Sequence, residues 1–334
     1  MKVGLTCDGS GPCARAIRGW RRSRQERAQA STIDSKWYPP VGGNHLTLDS
    51  RPKRPIQSPT RAMRDTVYRV KRHVPSRAWR FLTAPYWWWY NRARHQVAAL
   101  ASNRLRASSR QLLEYKNLHG GDRCFIIGNG PSLRRTNLNL LAGVPTFGMN
   151  RIYLLFPEMG YPTTYYVAVN TLVIEQCADD IKEMPMPKFI TWRGRKWMRD
   201  VPGVLFLDTD YTGPPGFSED VSGRVFEGST VTYVALQLAF HMGFRDVILV
   251  GVDHNFTTTG RPNETVVSEG EDRDHFSSQY FGRGFRWQLP DLVASERAYA
   301  MARDHFEREG RRILDATVDG NLDIFPKIRL EDLF

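Results

Sequence analysis

The sequence is short of cysteine, of long apolar runs and, over its first third, of negative charge, and each shortage excludes something. Its four cysteines, Cys7, Cys13, Cys124 and Cys177, include no CxxC pair. That spacing argues against a disulfide framework or a zinc site and favours a reducing compartment. No stretch reaches the roughly 18–20 apolar residues of a spanning helix. The first residues lack the apolar segment of a signal peptide, so a cytoplasmic location is expected. There is no Walker A motif. Gly128-Asn129-Gly130 lacks the third glycine and the downstream acid of a dinucleotide fingerprint, which argues against NAD. No internal repeat is visible.

What is present is unevenly placed. Residues 1–120 carry 24 Lys and Arg against 6 Asp and Glu, while residues 121–334 carry 23 against 29. The net charge of +12 therefore belongs to an N-terminal extension that suits an anionic surface. Residues 1–60 are rich in Arg, Ser, Pro and Gly, and read as a disordered basic tail. Residues 61–118 read as a basic, aromatic, partly helical extension, with Arg104 to Tyr115 a helix leading into the domain. Tyr86-Trp87-Trp88-Trp89-Tyr90-Asn91-Arg92 places aromatics beside cations, which suits the headgroup level of a membrane. Docking of these rings onto the main domain is the competing reading, and nucleic-acid stacking a third. No nucleic-acid partner is expected, and a homo-oligomer is left open.

Residues 119–334 alternate between strand and helix signals. Strands are expected at Cys124–Ile127, Thr146–Met149, Thr164–Val169, Lys188–Thr191, Val204–Leu207 and Val247–Val250, with a last one near Arg311–Asp315. Helices are expected at Thr230–Met242, with Gly243 as its C-cap, and at Leu292–Glu309. This pattern indicates an α/β fold with a doubly wound, mostly parallel sheet, Rossmann-like or a GT-A-like variant of it.

The stretch around which the domain is organised is Cys124-Phe-Ile-Ile-Gly128-Asn129-Gly130-Pro131-Ser132-Leu133. It reads as a buried strand entering a tight glycine turn. Glycine lets backbone approach a ligand closely and adopt positive φ. Pro131 suits the first turn of a helix and Ser132 its cap, and free N–H groups there attract an anion. Ligands of parallel sheets bind beyond the carboxyl ends of the strands. Asn129, Asn150, Asn170 and Asp253 all fall at such ends, and Asn offers both donor and acceptor without charge. Gly228-Ser229-Thr230 precedes the Thr230–Met242 helix, whose N-terminus offers a second anion site. His275, in Glu271-Asp272-Arg273-Asp274-His275, is a candidate general base, since nearby carboxylates tune an imidazole. His254 and His305 compete with it, and His241 reads as structural. Tyr280 could orient a substrate or pack the core. Leu207-Asp208-Thr209-Asp210 has the form of a metal-binding DxD, although the pattern is short and common.

Taken together, Gly128-Asn129-Gly130-Pro131-Ser132-Leu133, Asn150, Asn170, Gly228-Ser229-Thr230, Val250-Gly251-Val252-Asp253 and a later loop His resemble the family 42 glycosyltransferases, which are bacterial sialyltransferases. They also resemble the 6-hydroxymethylpterin diphosphokinase MptE-like family, which includes domains of flagellin nonulosonic-acid transferases. The resemblance spans roughly residues 120–330 and leaves the basic extension unmatched. It implies a glycosyltransferase that moves a sialic-acid-like sugar from a CMP donor to a hydroxyl of a glycan or glycolipid, without a metal. Gly128, Asn129, Gly130, Pro131, Ser132, Asn150 and Asn170 would surround the CMP-sugar. Gly228, Ser229 and Thr230 would meet its carboxylate or phosphate, Asp253 the nucleotide, and His275 would take the acceptor proton. The sequence departs from that pattern in the carboxylate-rich loop around His275 and in lacking a clear tyrosine pair for the donor phosphate. A pterin-type diphosphokinase would use the same rim for ATP and Mg²⁺, with Asp208, Asp210 or Asp253 on the metal. A non-catalytic membrane or RNA adaptor built on the extension is a third reading.

Overall fold

The computed structural model describes residues 102–211, 213 and 215–334. The readings of the 1–60 tail and of the Tyr86–Tyr90 aromatic cluster lie outside the described residues. Ten strands and six α-helices, joined by 3-10 turns, make up what is described. In chain order they are α1 (Asn103–Glu114), β1 (Arg123–Ile127), β2 (Thr146–Met149), α2 (Phe156–Met159), β3 (Tyr165–Ala168), α3 (Thr171–Gln176), α4 (Ala178–Glu183), β4 (Lys188–Thr191), β5 (Val204–Asp210), β6 (Arg224–Phe226), α5 (Val231–His241), β7 (Asp246–Val250), β8 (Thr265–Val267), β9 (Arg286–Gln288), α6 (Leu292–Arg308) and β10 (Arg312–Asp315).

Eight strands form one sheet in the order β10-β7-β1-β2-β3-β4-β5-β6, and every pairing in it is parallel. Parallel sheets are covered on both faces, so their strands are apolar on both sides. Along β1, Phe125 and Ile127 enter one hydrophobic core while Cys124 and Ile126 enter the other. This alternation is the period-two geometry of a strand. Burial pushes the Cys124 thiol well up, in keeping with an inert buried cysteine.

α5 is the central helix of the second core. Every residue from Thr232 to His241 is buried, although spacing predicted only one buried face. Two of its buried polar side chains, Gln237 and His241, bond to backbone carbonyls. Gln237 Nε2 donates to the Phe226 and Tyr233 carbonyls at 2.7 and 3.1 Å. His241 Nε2 lies 2.8 Å from the Leu112 carbonyl, as a structural histidine should. Gly243 follows at φ +88°, a conformation glycine adopts without strain.

Two boundaries differ instructively. β5 runs on to Asp210, because Asp208 and Asp210 pair their backbones with Arg224 and Phe226 of β6. The apolar run ends at Leu207, but strand pairing needs only the backbone. α1, grouped by sequence with the basic extension, packs on the domain. Its Leu105 and Leu112 are buried, and Ser108 Oγ accepts the Phe206 N–H at 3.0 Å.

Candidate functional site

In chain order the strands proceed from β1 outward to β6 on one side, then return as β7 and β10 on the other. The reversal lies between β1 and β7, where open α/β sheets form a ligand crevice. A cleft occupies that position, in two connected parts of about 170 and 490 Å³. The smaller lies over the ends of β1, β2 and β7. The larger extends towards β3, β4 and the β8–β9 ribbon. Asn150, Ser229, Thr230 and His275 line both.

The glycine turn is built differently from its sequence reading. Gly128 N–H donates to the Val250 carbonyl at 2.7 Å and Gly130 N–H to Gly251 at 2.9 Å. A Cβ on Gly128 would lie 2.1 Å from the Gly251 oxygen, and one on Gly130 only 1.8 Å from Asp253 Oδ2. Gly130 sits at φ −72°, so no left-handed backbone requires it. The room that glycine provides is filled by the continuation of β7 rather than by a ligand.

Asp253 completes that joint. Its Oδ1 accepts the Ser132 N–H at 2.9 Å and its Oδ2 the Ser132 hydroxyl at 2.7 Å. Burial pushes the Asp253 carboxyl up, against the opposing pull of the two Ser132 bonds. The turn Pro131–Arg135 is a five-residue 3-10 helix whose cap, Gly130, has no side-chain bond. Ser132 therefore does not cap it. The anion position expected at this turn is held by the protein's own Asp253. Pro131 and Ser132 do not line the cleft, and Ser132 is 1% exposed.

Asn129 and Asn150 line the smaller cavity. The Oδ1 of each is buried and has no hydrogen-bond partner among the described residues. Leaving a buried acceptor unpaired costs about 1–3 kcal/mol, a cost that an N–H or O–H donor from a ligand would remove. Asn150 also adopts φ +51°, which Asn tolerates better than most residues. Its carbonyl accepts the Tyr166 hydroxyl at 2.8 Å. Asn170 is placed otherwise. It caps α3, with Oδ1 accepting the Leu172 N–H at 2.9 Å, and it lines only the larger cavity. The three asparagines thus share one cleft without surrounding one point.

The N-terminus of α5 opens on both cavities. Gly228 and Ser229 both take left-handed φ, +53° and +61°. A Cβ on Gly228 would lie 2.4 Å from the Tyr233 ring. Thr230 caps the helix, its Oγ1 accepting the Thr232 N–H at 3.3 Å. The first turn holds no acidic residue, and its positive end faces the cleft.

His275 stands where the cavities meet. Its Nδ1 is 2.8 Å from Asp272 Oδ2. A carboxylate can only accept, so Nδ1 supplies the proton of this bond and Nε2 is left for another partner. The ring lies flat on Tyr280, with centroids 4.0 Å apart at 6°. Asp272 is itself fixed by the Phe281 and Asp274 N–H groups at 3.0 and 2.9 Å. The Phe276 N–H donates to the Asn129 carbonyl at 2.9 Å, and Arg134 Nε to the Phe276 carbonyl at 2.6 Å. The histidine loop is thereby pinned to the glycine turn. Asp274 binds the N–H and hydroxyl groups of Thr257 and Thr258. Burial works against its charge, but these bonds hold its carboxyl below the usual range.

The competing histidines are both paired with glutamates, although His254 lines the smaller cavity. His254 Nε2 lies 2.9 Å from Glu296 Oε1, and His305 pairs with Glu219 at 2.8 Å. Asp210, of the DxD stretch, accepts the Gly213 N–H at 2.8 Å and lies 3.5 Å from Arg224. Among the described residues no three His, Cys, Asp or Glu side chains converge as metal ligands. Sequence reasoning missed Arg193, which follows β4, lies over the Tyr211 ring at 4.0 Å and pairs with Glu227 in the larger cavity. Glu227 stands 34 positions away, and no spacing rule joins them.

No protein-family model matches the chain, and no curated protein matches it. Among solved structures it is similar to the MAf glycosyltransferase from Magnetospirillum magneticum AMB-1, at 15% identity and a TM-score of 0.39. The match covers 67% of this chain and 38% of that one. No helix among the described residues is long and apolar enough to cross a membrane.

Proposed function

We propose that the chain is a glycosyltransferase that moves a nonulosonic acid, a sialic-acid-like sugar, from a CMP donor to a hydroxyl of a glycan or glycolipid. One observation carries the reading. A histidine held by a carboxylate lines two adjoining cavities, whose walls also hold a helix N-terminus and two unpaired asparagine oxygens. Transfer of an anionic sugar between two bound substrates calls for such an arrangement.

In this reading the donor phosphate lies at the first turn of α5, where the helix dipole favours the charge it gains on leaving. Asn129 and Asn150 accept from donor groups of the nucleotide. The acceptor hydroxyl approaches the anomeric carbon from the side of the larger cavity. As its oxygen bonds to that carbon, the bond to the CMP phosphate breaks and the phosphate keeps the electron pair. His275 Nε2 takes the hydroxyl proton, and Asp272 stabilises the imidazolium that results. Asp253, spent on Ser132, shapes the cleft rather than touching the nucleotide. Residues 61–118 bring the domain to an anionic membrane face where a lipid-linked acceptor is found. Liposome flotation that is unchanged after removal of residues 61–101, which spares the packed α1 helix, would count against that location.

The deciding experiment is a thermal-shift screen of CMP, CDP, UDP, GDP and ATP, with and without Mg²⁺. Stabilisation by CMP without metal is expected. A shift with ATP alone, and only with Mg²⁺, would replace the transferase by the diphosphokinase.

A further inference from the structure

The larger cavity has a composition of its own. Its walls hold amides (Asn170, Asn263, Gln288) and aromatic rings (Tyr211, Trp287, Phe281). Aromatic faces and side-chain amides suit the C–H faces and hydroxyls of a sugar. Two charged side chains line it besides His275: Arg193 and Glu227. They form an ion pair in which the side chains are only 21% and 13% exposed. The Arg193 charge is therefore already neutralised. Its Nη2 also reaches the Val169 carbonyl at 3.3 Å, while its Nε is buried without an acceptor among the described residues.

We infer that this cavity receives a neutral, hydroxyl-rich sugar of the acceptor, and that Glu227 excludes anionic sugars from it. The inference rests on the transferase reading. A carboxylate or phosphate of the acceptor that entered beside Glu227, away from the α5 N-terminus claimed by the donor, would find the one guanidinium there already paired, and like charges in a desolvated site repel strongly. A neutral sugar meets no such barrier. One of its oxygens can supply the acceptor that Arg193 Nε lacks, and its apolar face can lie on Tyr211, which is half exposed. Removing the Glu227 charge while keeping its shape would free the guanidinium for a carboxylate, which Arg grips well.

The test is ligand-observed NMR on the full chain with methyl galactoside and methyl galactosiduronate, which differ only in having a hydroxymethyl or a carboxylate group at C6. Wild type should bind the neutral sugar at least tenfold more tightly, without displacement by CMP. Glu227→Gln should reverse the preference. Tyr211→Ala, at a half-exposed position, should weaken the neutral sugar at least fivefold and serves if Glu227→Gln does not fold. Preference of the wild type for the uronate, displacement of the neutral sugar by CMP, or binding of CMP without either sugar would each overturn the assignment. If the neutral sugar binds and CMP does not, the cavity assignment holds and the CMP donor fails.

Discussion

Lys188 provides a sharp test of the described core. It opens β4 and is 1% exposed. Its Nζ donates to the Met184 and Met186 carbonyls at 2.8 and 3.2 Å, at the end of α4. No carboxylate is its partner among the described residues. Burial lowers its pKa from 10.5 to about 8. At roughly 1.4 kcal/mol per pH unit, the charged form is about 3 kcal/mol less favourable in the fold than in water. The direction follows from proton binding. Between pH 8 and 10.5 the unfolded chain holds this proton and the folded chain has lost it, so stability rises with pH. The contribution is complete above the unfolded pKa and disappears as pH falls through the folded one. Lys188→Met removes that dependence. It also strips two carbonyls of their donor, a pH-independent cost of about 1–3 kcal/mol each. Urea unfolding of wild type and variant, at pH 7 and pH 10, should show wild type gaining about 2 kcal/mol on the variant. An unchanged difference would mean that the ammonium is not buried as described.

Other outcomes follow from the cleft. His275→Ala should retain the fold and CMP affinity and lose about 10²–10⁴-fold in turnover. Asp272→Asn should lose much of the same turnover and alter the pH–rate profile, because an amide can hold either tautomer. Asn129→Ala should weaken CMP binding at least tenfold in calorimetry while leaving stability equal or about 1 kcal/mol higher, since it removes an unpaired buried oxygen. Gly130→Ala should cost about 3 kcal/mol in urea unfolding by driving a Cβ into Asp253. Gly270→Ala, with nothing within 4 Å of the new carbon, should not.

The parts of the fold that could be read from sequence are those fixed by local chemistry. β2 and β4 have the expected bounds, β2 closed by Pro145 and Asn150 and β4 opened by Pro187. α5 was legible from its spacing, its threonine cap and Gly243. β6, β8 and β9, with three residues each, carry too little pattern to detect. At the site, the acid-rich loop marked His275 as held by a carboxylate, and the i,i+3 pair His275–Asp272 is the outcome. Which carboxylate does it depends on loop geometry, since Asp274 is nearer in sequence and binds Thr257 and Thr258 instead. Arg193–Glu227 and Ser132–Asp253 join segments 34 and 121 positions apart, so only the strand order brings them together.

The glycine turn shows why a motif and its chemistry must be separated. Gly128 and Gly130 have no Cβ because Gly251 and Asp253 occupy that volume. Ser132 is spent on Asp253. All three therefore work to join β1 to β7 at the switch point, and a sheet with this strand order needs such a joint whether or not it binds anything. The side chain left over is Asn129. Its carbonyl pins the His275 loop through Phe276, which any residue could do, but its buried side-chain oxygen serves no internal bond. A second unpaired oxygen, on Asn150, lines the same cavity from β2. Packing alone would favour an apolar residue at Asn129, because an unpaired buried amide destabilises the fold, whereas the left-handed backbone of Asn150 gives Asn a local reason as well. Two such amides at the mouth of one crevice are best explained by a ligand whose N–H or O–H groups complete them, so binding should depend on the asparagines and stability on the glycines.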